Sequence, residues 1–228
     1  MKIISDIRSQ FTSMKILLTG ATGMVGSEVL RQALNDSEIT HVTALVRSPL
    51  PVSHSKLTTI IHSNFQEYHT LSELFKNVDA CIWCLGISQL KVKEEEYRVI
   101  TYDFTLAGAQ AMLYANPNIN FVFLSGMGAD NTGRSKRLFA RVKGQTENAL
   151  DSFPFKQLYF ARPGGIKAVT KMPNRPFYEA IVDWFYPVFK TLTPSYVIDS
   201  KQLALALIKL AKEGYSERVI ENTALKAM

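Results

Sequence analysis

Three glycines spaced three apart, Gly20, Gly23 and Gly26, carry the chemistry that is easiest to read in this chain. They follow a strand-forming run, Lys15-Ile16-Leu17-Leu18-Thr19, and precede a helix-compatible segment, Ser27 to Leu34. In that order they suit a dinucleotide pyrophosphate. Gly20 turns the chain out of the strand. Gly23 lets backbone N–H groups approach the phosphates, and Gly26 lets the helix pack close to the sheet. Thr22, Met24 and Val25 lie between them and share the loop. The helix N-terminus adds unpaired N–H donors and a partial positive charge. The alternative is a plain strand-to-helix turn.

The next strand selects among dinucleotides. His41-Val42-Thr43-Ala44-Leu45-Val46-Arg47 reads as the second strand of a βαβ unit. NAD-specific folds usually end this strand with a carboxylate that accepts from the ribose 2′-OH. Here it ends in Arg47-Ser48, and no acidic residue occurs between Glu38 and Glu67. A guanidinium matches a phosphate fork. Arg47, with Ser48 as a second donor, is therefore placed for the 2′-phosphate of NADP. A solvated arginine at a strand end is the alternative.

Other candidate chemistries are weaker. Cys81 and Cys84 have C-x-x-C spacing, but both fall in an apolar strand pattern, Ala80 to Gly86. Residues three apart on a strand face opposite ways and lie roughly 10 Å apart, so these read as core residues and not a redox pair. His41, His54, His62 and His69 show no metal-ligand spacing, and no metal is expected. The net charge is +6, much of it in Arg134, Lys136, Arg137, Arg141 and Lys143. No nucleic-acid-binding motif accompanies that cluster, so it suits an anionic cofactor or a solvated face.

The elements that must position these residues alternate along the chain. Further strands are expected at Thr58–Ser63, Ala80–Leu85, Asn120–Ser125, Gln157–Arg162 and Arg218–Glu221. Helices are expected at His69–Val78, Glu94–Ala115, Arg137–Leu150, Phe177–Phe189 and Ser200–Glu213. Alternation of this kind predicts an α/β fold with a doubly wound parallel sheet. Residues 14–228 read as one domain, with 165–200 lining a substrate pocket and 1–13 as an extension or a misplaced start. On Phe177–Phe189, Phe177, Ile181, Trp184, Phe185 and Val188 recur at helical spacing. They fit a pocket roof, a dimer contact or a membrane-surface contact. No apolar run is long enough to span a bilayer, and no secretory h-region opens the chain, which points to the cytosol.

With these motifs in place, the chain resembles an atypical short-chain dehydrogenase/reductase. It is most similar to the HIV Tat-interacting-protein-like and NmrA-like NAD(P)-binding group. The carriers are TGATGMVG at Thr19–Gly26, LVRS at Leu45–Ser48 and CLG at Cys84–Gly86. They continue with FLSGMGAD at Phe123–Asp130, RVKGQTE at Arg141–Glu147 and FARPGGI at Phe160–Ile166. The resemblance implies a Rossmann fold with NADP at the carboxyl ends of the strands. It places Leu85, Gly86 and Ile87 on the adenosine-ribose side, and Pro163, Gly164 and Gly165 beside the nicotinamide.

Family members that do chemistry use a Tyr-x-x-x-Lys helix and a Ser or Thr after the fifth strand. Ser125 and Lys143 match the Ser and the Lys, as catalytic candidates, but Phe139 stands where the Tyr belongs. A phenyl ring has no exchangeable proton. Ser125 could instead bond backbone at a strand end, and Lys143 could be a solvated helix residue. The resemblance therefore implies an NADP-dependent oxidoreductase acting on a small carbonyl, alcohol or enone, or a non-catalytic NADP(H) sensor with a protein partner. A sugar-nucleotide epimerase relative is a third reading, for which the chain is short. Substrate and oligomeric state, including a homodimer, are left open by the residues.

Overall fold

A computed structural model describes residues 13–169 and 194–228. The expected extension 1–13 lies outside these residues except for Ser13, as does the whole of the expected helix Phe177–Phe189 and most of the pocket-lining stretch 165–200.

The sequence patterns fold into strands β1 (Met14–Thr19), β2 (Ile39–Val46), β3 (Leu57–Ile61), β4 (Ala80–Trp83), β5 (Asn120–Leu124) and β6 (Gln157–Arg162). Then come β7 (Gly165–Lys167), β8 (Val197–Asp199) and β9 (Val219–Glu221). The helices are α1 (Met24–Asn35), α2 (Ser72–Phe75), α3 (Glu94–Arg98), α4 (Phe104–Ala115), α5 (Leu138–Asp151), α6 (Ser200–Glu213) and α7 (Asn222–Ala227). Seven strands form one sheet in the order β3-β2-β1-β4-β5-β6-β9, every neighbouring pair parallel. Strand order reverses direction between β1 and β4, which opens a crevice at their carboxyl ends. β7 and β8 form a separate parallel pair.

Side chains alternate across this sheet as period-two strands require. Ile16, Leu18, Val42, Ala44, Ile82, Val122 and Ala161 pack with α1 and α6 on one face. Leu17, Leu45, Trp83, Phe121, Phe123, Leu158 and Phe160 pack with α4 on the other. Cys81 belongs to the second cluster and Cys84 packs on the first, so the two thiols face opposite sides and both are free. Burial pushes the Cys84 thiol up to about 12 and Cys81 well above its ordinary value, which keeps both protonated.

Two expected helices differ in extent or regularity. The helix expected at His69–Val78 is a 3-10 turn, His69–Leu71, followed by α2 alone. Lys76, Asn77 and Val78 each donate to a carbonyl within four residues as the chain turns into β4. The long helix at Glu94–Ala115 is interrupted by a π turn at Val99–Asp103. Within it the buried Thr101 carbonyl accepts from Thr105 Oγ1 at 2.8 Å and Thr146 Oγ1 at 3.5 Å, competing with the backbone ladder. The pair β7–β8 and α7 were not expected, because three-residue strands and a six-residue helix carry too little pattern.

Gly26 sets the fit of α1 on the sheet. A Cβ there would lie 2.1 Å from the Gly20 carbonyl oxygen, backbone against backbone. Gly26→Ala should therefore cost about 1–3 kcal/mol, lowering the thermal midpoint by about 2–12 °C. Gly86→Ala is the control: no atom lies within 4 Å of a Cβ at Gly86. Thermal melts in which both variants match the native protein would sink this account of the α1 contact.

Candidate functional site

The crevice is built outward from the turn after β1. Gly20 has φ +68°, and a Cβ on it would lie 2.4 Å from the Cys84 carbonyl oxygen. Two backbones meet there, one leaving β1 and one leaving β4. Thr19 Oγ1 fastens them by accepting from Leu85 N at 3.1 Å. Gly23 donates to the Gly20 oxygen at 2.9 Å and caps α1 without a side-chain hydrogen bond. The first intrahelical bond runs from Ser27 N to Gly23 O, at 2.9 Å. The N–H groups of Met24, Val25 and Gly26 precede that bond, and no acidic residue occupies the first turn. The positive end of α1 is thus open and uncompensated, which suits an anion.

Two adjoining grooves meet along this turn. One, about 260 Å³, is lined by Gly20, Thr22, Gly23, Arg47, Ser48, Leu85 and Gly86, with Phe65 at its inner wall. The other, about 380 Å³, is lined by Gly23, Met24, Val25, Gly26, Ser125, Lys143 and Gly164, with Ile166 beside them. Gly23, Cys84, Leu85 and Gly86 belong to both. One continuous trough therefore runs from the end of β2 to the end of β5. Of the residues expected at a cofactor site, only Pro163 and Gly165 are not among its lining residues. Pro163 is buried and accepts from Met127 N at 2.8 Å. Gly165 is taken into β7 opposite Val197.

Gly164 between them is fixed tightly. Its N–H donates to Asn222 Oδ1 at 2.8 Å, and a Cβ would lie 2.2 Å from the Tyr196 oxygen. The fully buried Asn222 also donates to the Ser195 oxygen at 2.7 Å. The sequence reading missed Asn222, since a lone Asn at a short helix start carries no distinguishing signal.

Lys143 is not a solvated helix lysine. It is buried on α5, with Nζ donating to the Leu124 oxygen at 2.7 Å and standing 4.4 Å from the centre of the Phe123 ring. Burial pushes its pKa down to about 8, against the raising influence of Glu147 and Cys84.

Ser125 does not bond backbone through its hydroxyl. Its Oγ donates to Glu147 Oε1 at 2.5 Å. Glu147 is fully buried, one turn beyond Lys143. Arg162 holds it, with Nε donating to Oε1 at 3.0 Å and Nη2 donating to Oε2. Asn131 Nδ2 donates to Oε2 at 3.1 Å, and Arg162 Nη1 reaches Glu221 at 3.2 Å. Glu147 was quoted in the sequence pattern but given no role there. An acidic residue four after a lysine on a helix reads as an ordinary surface pair, and only the fold brings Ser125 and Arg162 to it.

Phe139 does not line the trough. Its Cζ sits 2.3 Å from where a Cβ on Gly126 would be, so the ring tip rests on the backbone just after Ser125. Gln89 Oε1 accepts from Phe139 N at 2.8 Å and ties this helix start to the loop after β4. Among the described residues no group of three His, Cys, Asp or Glu side chains could hold a metal ion.

With this geometry established, comparison with known proteins is informative. A family model described as NAD(P)H-binding matches residues 20–153. The leucinostatins biosynthesis cluster protein T of Purpureocillium lilacinum is 32% identical over 181 residues, covering 75% of this chain and 66% of that protein. Protein HTATIP2 of Rattus norvegicus is 26% identical, covering 77% of this chain and 71% of its own length. Protein fmp52, mitochondrial, of Emericella nidulans is 29% identical, covering 75% and 73%. Among solved structures, L-threonine dehydrogenase from Clostridium difficile matches 92% of this chain and 76% of its own. Its TM-score is 0.71 at 18% identity, a likeness of fold. The cytosolic location read from the sequence is corrected by these relatives, since fmp52 proteins of several fungi are named mitochondrial. A missing secretory h-region says nothing about mitochondria. No described helix is long and apolar enough to cross a membrane.

The buried Lys143 has a consequence for stability. Its native pKa is below the ordinary lysine value of 10.5. Below about pH 8 both folded and unfolded chains carry the charge, and the burial penalty is present in full. Above 10.5 both are neutral and it is gone, so this group makes stability rise with pH between those limits, by of order 3 kcal/mol. Lys143→Met should remove that rise and be the more stable protein at pH 7. Urea denaturation at pH 7, 8.5 and 10 tests this; a native-minus-variant difference that is flat with pH would refute it.

Proposed function

The chain belongs to the NAD(P)H-binding family, in the atypical short-chain dehydrogenase/reductase group with HTATIP2 and the fmp52 proteins, and from that premise we propose that it binds NADP(H) along the trough and acts as an oxidoreductase on a small carbonyl, alcohol or enone. The observation that carries the cofactor choice is the pairing of Arg47 and Ser48 at one end of the trough, with no carboxylate among the residues lining that end. The open N-terminus of α1 supports the pyrophosphate midway. Ser125, Lys143 and Gly164 support the nicotinamide at the far end. When bound there, the nicotinamide supplies or accepts a hydride.

The chain's own residues would do the rest. Arg47 orients the adenosine 2′-phosphate, and the α1 N–H groups hold the pyrophosphate. Lys143 sets positive charge at the ribose and substrate end, and Ile166 helps to exclude water. Phe139 favours a second reading, a non-catalytic NADP(H) sensor. It has no proton to give, and its ring tip is turned onto Gly126 instead of the trough.

One measurement tests the cofactor assignment that both readings share, and a second separates them. Loss of a charge-assisted phosphate contact costs about 1.5–3 kcal/mol, so Arg47→Ala should weaken NADPH by about ten- to a hundredfold and leave NADH nearly unchanged. Fluorescence titration that finds equal native affinity for NADH and NADPH would remove the NADP assignment. General acid catalysis contributes about a hundred- to ten-thousandfold. Single-turnover NADPH oxidation against aldehydes and quinones should therefore run at least a hundredfold below a typical rate of about 10 per second. A full native rate would eliminate the sensor reading and require a proton source beyond the residues named here.

A further inference from the structure

The Ser125 hydroxyl has one proton and two acceptor positions, and the structure accounts for the proton. It points to Glu147 Oε1, 2.5 Å away. The Arg162 guanidinium donates to both oxygens of Glu147 and Asn131 donates to one, so this carboxyl is surrounded by donors. Oε1 accepts from Ser125 and from Arg162 Nε at 3.0 Å, and Oε2 accepts from Arg162 Nη2 and from Asn131 Nδ2 at 3.1 Å. The carboxylate is fully buried, so water does not compete for these bonds. On its other side Ser125 lines the 380 Å³ groove with Lys143. What Ser125 offers there is lone pairs alone. Lys143 uses one proton on the Leu124 oxygen and keeps further donors.

We propose that Ser125 serves in this groove as a hydrogen-bond acceptor, that Glu147 is the positioning residue which sets that polarity, and that the ligand group seated there is a hydroxyl, making the preferred small-molecule class alcohols over their matched ketones or aldehydes. A hydroxyl can donate to Ser125 and accept from Lys143. A carbonyl can still accept from Lys143, but it brings a second acceptor against Ser125 and leaves the serine lone pairs without a donor. The inference rests on the reading that NADP(H) occupies the trough, and it narrows the substrate class of that same site.

The test uses the full chain saturated with NADP+, after a titration establishes that the cofactor binds. Matched probes, 1-phenylethanol against acetophenone and cyclohexanol against cyclohexanone, are then titrated by saturation-transfer NMR. The alcohol of each pair should bind about fivefold more tightly. Ser125→Ala, saturated with NADP+ at the concentration its own cofactor titration requires, should erase the preference. Glu147→Gln presents an amide that can donate to Ser125, turns the serine proton into the groove, and should shift preference toward the ketone. Thermal melts check that each variant is folded; if Glu147→Gln is not, Ser125→Ala decides alone. Ketones binding natively as well as alcohols, an alcohol preference that survives Ser125→Ala, or no binding by either member of any pair would each overturn the proposal. Failure of NADP+ to bind in the first titration would instead overturn the cofactor reading, and this inference with it.

Discussion

The buried carboxylate of Glu147 is the interaction on which the Ser125 end of the trough depends. It sits on α5, yet through Ser125 it fixes the end of β5, through Arg162 the end of β6, and through Asn131 the loop before α5. Arg162 passes the connection on to Glu221 in β9. A charge this deep is tolerated only when paired and hydrogen-bonded on both oxygens. Removing one partner would strand the other, at a cost of about 3–5 kcal/mol. The ends of three parallel strands are thus held in register by one side chain that the hydrophobic core does not supply.

The middle of the trough relies on a different constraint, close backbone approach. Gly20 packs on the Cys84 carbonyl oxygen and Gly26 on that of Gly20, so β1, α1 and the chain leaving β4 converge with no room for a side chain. That convergence leaves the first N–H groups of α1 facing the crevice. The chemistry changes along the trough: uncharged backbone donors at the turn, with the cations of Arg47 and Lys143 on either side. A dinucleotide, whose negative charge is concentrated at its central pyrophosphate, fits such a distribution of charge.

Much of this was legible in the sequence, for definable reasons. β6 and α6 lie where the pattern placed them, because a buried apolar run between Gln157 and Arg162 and fourteen amphipathic residues leave little freedom. The glycine turn was legible because each glycine answers a separate steric demand. Arg47 was legible from its place at a strand end. By contrast Glu147, Asn131 and Asn222 act through partners 15 to 58 residues away, and no local spacing records such distances. The same holds for Lys143, whose burial depends on strands that the helix itself does not contain. The short pair β7–β8 was missed because it exists only through its mutual pairing.

Phe139 and Gly126 share one volume: the ring tip fills the space that a side chain at 126 would need. Neither position can therefore drift independently of the other. A larger residue at 126 is excluded while the ring stays. The pair behaves as a latch in sequence space. Position 126 is already glycine and cannot shrink, so room for a larger group at 139 must come from a shift of the start of α5 or of the chain leaving β5.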